Sequence, residues 1–139
     1  MSQENFEIVR RWAAAIGRGD LAETLWDPDL VIVNAEGWAL EATYRGYEGL
    51  RQWWHDLDEA FSDFAMRVDE ITPVDGERFL TEQRFIGHFR QTGIRWDAPW
   101  ASVVTVKGGR IKSAVGYMST RRALKALGLS ERDARTDSS

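Results

Sequence analysis

The chain contains no cysteine, which removes disulfides, thiol catalysis and thiolate metal sites and fits a reducing cytoplasm. Histidine is nearly as scarce. His55 and His88 are the two in 139 residues, and neither has the spacing to other ligands that a metal site needs, so no metal and no cofactor is expected. No apolar run approaches the roughly 20 residues of a membrane-spanning helix, and Ser2-Gln3-Glu4-Asn5 lacks the basic and then apolar pattern of a signal peptide. A basic stripe is missing too: 18 Lys and Arg are interspersed with 22 Asp and Glu for a net charge of −4. That balance argues against nucleic acid as a partner. The expectation is a cytoplasmic protein, without membrane or nucleic-acid partners, folded as one domain over 1–129 with a polar tail at 130–139.

Tryptophan, by contrast, is abundant, with seven residues. Some must pack the core, but so many wide rings in a small domain are also suited to lining a cavity.

The stretch from Arg78 to Met118 reads as three extended segments, Arg78 to Arg90, Ile94 to Val106 and Arg110 to Met118. Short breaks at Gln91-Thr92-Gly93 and Lys107-Gly108-Gly109 separate them. Short glycine-bearing breaks predict an antiparallel meander. Alternation puts Phe79, Thr81, Gln83, Phe85, Gly87 and Phe89 on one face, and Trp96, Ala98, Trp100, Ser102, Val104 and Val106 on the matching face of the next strand. Gln83 and Ser102 are thus polar residues on a covered face. Each needs a partner in protein, water or ligand.

Upstream, Phe6, Val9, Trp12, Ala13 and Ile16 recur at helical spacing after Ser2, a possible cap, and the helix ends at Gly17. Asp20 with Glu23 reads as a capping box opening a second short helix that Pro28 stops. Leu30 to Asn34 predicts a strand, and Ala35 to Arg45 an irregular segment. After Gly46, the stripe of Leu50, Trp53, Trp54, Leu57 and Phe61 predicts a long helix. A strand from Phe64 to Ile71 and a turn at Asp75-Gly76 lead into the meander, and Ser119 or Thr120 caps a last short helix closed by Gly128.

Several segments together resemble one family: Glu7-Ile8-Val9-Arg10-Arg11 with Gly19-Asp20-Leu21, Tyr44-Arg45-Gly46-Tyr47-Glu48-Gly49-Leu50, Gly108-Gly109-Arg110-Ile111 before a strand containing Tyr117, and Ala123-Leu124-Lys125-Ala126-Leu127-Gly128-Leu129. The chain resembles the SnoaL-like, or ketosteroid-isomerase-like, branch of the NTF2-like superfamily. The resemblance implies an α+β cone, a curved antiparallel sheet with helices packed on its concave face. It does not fix an activity, because the fold hosts isomerases, polyketide cyclases, dehydratases, epoxide hydrolases and binding-only proteins.

Carried over residue by residue, the resemblance yields departures. Where ketosteroid isomerases keep an oxyanion-binding Tyr, a general-base Asp and a second oxyanion acid, this chain has Trp12, Asn34 and Ser102. Polyketide cyclases and limonene-type epoxide hydrolases keep a carboxylate where Gly116 stands, and the hydrolases an Arg and an Asp where Gln83 and Phe85 stand. Asn34 does match a water-holding Asn of those hydrolases. An enolisation base must accept a proton at neutral pH, which an amide, an indole or an unassisted hydroxyl cannot do.

Two readings stay open. In one, Asn34, Ser102 and Trp12 form the hydrogen-bonding end of an apolar pocket, with Trp38, Trp54, Phe61, Gln83, Phe85, Trp100, Gly116 and Met118 lining it, and Glu36 or Glu41 from the irregular segment serves as base in isomerase, cyclase or hydrolase chemistry. In the other, the domain is a non-catalytic ligand-binding or assembly module. The ligand in either case is a small apolar, cyclic or aromatic molecule. Ile86, Val103 and Ala101 on the outer sheet face, with the resemblance, imply a homodimer.

Overall fold

The computed structural model describes residues 2–35, 38 and 42–129. Glu36 and Glu41, the Ser2 capping side chain and the tail at 130–139 lie outside the described residues. Helix α1 spans Ser2–Gly17, a single 3-10 turn follows at Glu23–Leu25, and strand β1 runs Trp26–Val33. Next come β2 (Thr43–Arg45), α2 (Gly46–Ala60), β3 (Ala65–Pro73), β4 (Arg78–His88), β5 (Arg95–Lys107), β6 (Arg110–Tyr117) and α3 (Thr120–Ala126). The strands form one open sheet in the order β2-β1-β6-β5-β4-β3. All neighbouring pairs are antiparallel except β1 with β6, which is parallel. This is the NTF2-like cone that the sequence order implied.

Both long helices lie over the inner face, α1 on β3, β5 and β6, and α2 on β1 and β2. Their stripes supply Val9, Trp12 and Ile16 from α1 and Leu50, Trp53 and Leu57 from α2 to one core. The core's other half is the inward parity of β4 and β5, including Phe79, Phe85, Trp100, Val104 and Val106. Burying a side chain of this size contributes about 1.5–3 kcal/mol, so this interleaving is the main source of stability.

The outer face is not bare. Leu80, Ala101 and Val103 are buried there in a second cluster with Ala123 and Leu124 of α3. Ser119 Oγ caps α3 by accepting from the Arg122 N–H at 3.2 Å, and Leu129 N–H donates back to Leu124 O at 2.8 Å around Gly128, whose φ is +73°. Two of the three apolar residues expected to seat a twin subunit, Ala101 and Val103, are therefore already covered by the chain's own last helix.

Three local expectations are corrected. The capping box at Asp20 opens no α-helix: Asp20 Oδ1 accepts from Ala22 N–H at 2.9 Å, Ala22 takes a left-handed φ of 55°, and Glu23 pairs with Arg51 at 2.7 Å rather than reaching back. The first strand begins four residues before Leu30, because Pro28 sits where the ladder to β6 is interrupted, between Trp26 and Val31, and no N–H is needed there. Phe61 falls just beyond α2 in extended conformation and bridges Phe89. It still points inward and is fully buried.

Candidate functional site

Inside the cone, between the sheet and both helices, a void of about 30 Å³ is bordered by Trp12, Asn34, Trp100 and Ser102, together with Trp26, Trp53, Gln83 and Gly116. It has room for one or two water molecules. A second void of about 20 Å³ shares Asn34, Trp53, Met66 and Trp100 with the first and adds Trp38, Leu57 and Phe85. The two adjoin through these shared residues.

The polar groups at this centre are held firmly. Asn34, just past β1, accepts from Trp53 Nε1–H at 3.2 Å. Its backbone N–H donates to Ala42 O at 2.9 Å, which fixes the end of the strand. On the lining of the same void, Gln83 Nε2 donates to Thr81 Oγ1 and Ser102 Oγ, both at 2.8 Å, while those hydroxyls contact each other at 2.5 Å. Among the described residues, four buried side-chain polar atoms have no partner: the Nε1 atoms of Trp12, Trp26 and Trp38, and Gln83 Oε1. Each such atom costs about 1–3 kcal/mol if nothing pairs with it.

Aromatic rings form the rest of the wall. Trp38 packs on Trp100 with centroids 4.9 Å apart and edge-on against Phe85 at 5.8 Å. Gly116 explains how Trp100 fits: a Cβ on this glycine would stand 2.5 Å from Trp100 Cζ2 and 3.0 Å from Cε2. The indole of Trp100 thus fills the space that a carboxylate at position 116 would need.

Of the residues singled out from the sequence, Trp12, Asn34, Trp38, Gln83, Phe85, Trp100, Ser102 and Gly116 come together around these two voids. Phe61 packs against Phe85 and Phe89, one layer away, and Trp54 packs against Trp53 and Phe64. Met118 lines a different space, an open cleft of about 950 Å³ beside α3 with Val33, Tyr117, Arg122 and Lys125. Asn34 and Gly116 border both this cleft and the central void. Sequence reasoning missed Trp26 and Thr81 as parts of the site. Trp26 shares even parity with Leu30, Ile32 and Asn34, so a strand begun at Trp26 would have placed it inward.

The titratable groups among the described residues lie elsewhere. Neither void has Asp, Glu, His, Lys or Tyr among its described lining. Asp63 on the surface is held below the usual carboxylate range, first by its hydrogen bond with His88, whose Nδ1 lies 2.9 Å away. Asp27, Asp69 and Asp75 also shift downward, the direction opposite to that of a carboxylate prepared to take a proton. Burial, then a hydrogen bond to Asp56 at 2.6 Å, raises Tyr44, and burial raises Tyr117; neither reaches the central void. His55 pairs with Glu59 on the helix surface at 3.5 Å. Among the described residues no group of three or more acidic or imidazole side chains is placed to hold a metal.

The SnoaL-like domain family matches residues 9–114, and the chain belongs to it. Among solved structures, a hypothetical protein from Catenulispora acidiphila DSM 44928 with a ketosteroid isomerase-like fold, in complex with trimethylamine, is similar at 26% identity. The alignment covers 88% of this chain and 93% of that one, with a TM-score of 0.69. TerC, co-crystallised with polyporic acid, superposes at TM-score 0.72 with 17% identity over 89% and 97% of the two chains. A SnoaL-like polyketide cyclase, so described, from Jannaschia sp. CCS1 gives 0.68 and 16% over 90% and 92%. No match was found among curated proteins.

Proposed function

We propose that this chain binds a small apolar, cyclic or aromatic molecule inside the cone and holds it without transforming it. The observation that carries this reading is the lining itself: polar atoms able to hydrogen-bond converge on aromatic walls, with no proton-exchanging side chain among the described residues that border the voids. Ser102 Oγ has hydroxyl and amide neighbours, and no base to activate it is found among the described residues. Two similar structures were solved with small molecules, trimethylamine and polyporic acid, which supports a binding role.

A catalytic reading has one opening. An isomerase, cyclase or hydrolase of this family needs a base, and Glu36 and Glu41, which lie outside the described residues, are the candidates for it. The test is an unbiased mass-spectrometric screen of molecules retained from a metabolite extract, repeated with Glu36→Gln and Glu41→Gln. Retention of one small cyclic or aromatic compound, unchanged in mass and unaffected by both variants, supports binding alone. A product that disappears in either variant would establish catalysis instead, and an empty protein would contradict both readings.

The cytoplasm is the compartment we assign, since none of the described helices is long and apolar enough to cross a membrane and cysteine is absent. A homodimer fits the outer face that α3 leaves open, around Ile86 and the Arg84–Asp97 pair; the molar mass in solution decides it.

A further inference from the structure

Gln83 is oriented by proton counting. Its amide meets Thr81 Oγ1 and Ser102 Oγ, and those two oxygens meet each other. With the amide reversed, three oxygens would make three mutual contacts with only two hydroxyl protons between them. With nitrogen toward the hydroxyls every contact has its proton, and Thr81 can still donate to Ser102 O at 3.3 Å. Gln83 Oε1 is thereby turned away from the hydroxyls. It is buried and unpaired.

Trp12 Nε1 and Trp26 Nε1 are buried and unpaired as well, and all three residues line the same void of about 30 Å³. Two donors and one acceptor around one void define a complement that accepts two hydrogen bonds and donates one, a role that a water molecule fills in the free protein and a ligand hydroxyl can take over. A hydroxyl oxygen does both. A ketone or ether oxygen accepts but leaves Gln83 Oε1 unpaired, and an ammonium group donates but leaves both indoles unpaired.

We propose that the cone selects its ligand through a hydroxyl group, seated between the Trp12 and Trp26 indoles and Gln83, so that the ligand is a small cyclic alcohol or phenol. The ring that carries the hydroxyl extends toward the neighbouring void among Trp38, Phe85 and Trp100, which pack against one another and have to separate for the ring to enter. Thr81 and Ser102 are positioning residues: they touch Gln83 and fix which end of its amide faces the ligand. This inference rests on the pocket proposed above and adds the group that the pocket recognises.

The test compares cyclohexanol with cyclohexanone, which match in ring size and in acceptor oxygen and differ in the donated proton. Dissociation constants are measured by ligand-observed NMR on the full chain. The expected result is cyclohexanol bound about tenfold or more tighter than cyclohexanone, with the preference abolished in Gln83→Met. If that variant does not fold, Trp12→Phe serves: it removes a donor that both probes use and should weaken both by the same factor, preserving the ratio. Equal affinities in the unaltered protein would overturn the hydroxyl proposal while leaving the pocket in place. Binding of neither probe would overturn the pocket itself.

Discussion

Trp100 and Gly116 act as one unit, and their contact explains the missing carboxylate better than either residue alone. The Cζ2 edge of Trp100 occupies the first atom of any side chain at 116. Gly116→Ala should therefore cost about 1–3 kcal/mol by overpacking, read by urea unfolding. Combined with Trp100→Ala the same change should cost much less than the sum of the two; additive costs would show that the contact is not what excludes a side chain. At this scale the sequence was informative wherever parity could be counted, since Gln83, Phe85, Trp100, Ser102 and Gly116 all face inward. Parity says nothing about depth. It could not show that the indoles would close the interior to voids of water size, nor that Thr81 would complete the Gln83 network.

At the scale of elements, the corner between β2 and α2 is tied by Tyr44, whose hydroxyl donates to Asp56 Oδ2 at 2.6 Å. Burial first, and this bond second, lift its ionisation above the ordinary value near 10. A group whose pKa is raised on folding contributes stability that is complete below its unfolded value and is lost as pH rises past it. Stability should thus fall at alkaline pH above about 10, and Tyr44→Phe should remove Tyr44's share of that fall while costing about 1 kcal/mol at neutral pH through the lost hydrogen bond. An unchanged alkaline limb in the variant would contradict this assignment. Gly49 sits in the same corner with room for no more: an added Cβ would stand 3.0 Å from the Tyr44 carbonyl carbon. Gly49→Ala should destabilise in thermal unfolding even though alanine is favoured in a helix by about 1 kcal/mol, because backbone cannot yield as a side-chain tip can. Helix periods and glycine-bearing turns made most of the elements legible. Two exceptions trace to local side-chain hydrogen bonds and ladder irregularities: Asp20 built a turn that leads into a single 3-10 turn and no α-helix, and Pro28 was tolerated at a break in pairing.

The whole molecule is a sheet covered on both faces, α1 and α2 inside and α3 outside over Leu80, Ala101 and Val103. The sequence showed apolar residues on the outer face but could not show that its own last helix would claim them, since that docking joins segments far apart in the chain. Leu124→Asp, which places a charge in this cluster, should expose the three sheet residues and promote association, measured by light scattering; an unchanged mass and stability would mean that α3 is dispensable. The inner face makes the central claim, that a small ring is held inside the cone. The seven tryptophans supply reporters already in place, because Trp12, Trp26, Trp38, Trp53 and Trp100 border the voids while Trp54 and Trp96 do not. The most direct measurement is therefore a titration with phenol, following the indole N–H signals of the ¹⁵N-labelled protein. Saturable shifts in the signals of those five, with Trp54 and Trp96 little changed, are the predicted result; shifts confined to Trp54 and Trp96, or none at all, would contradict the account.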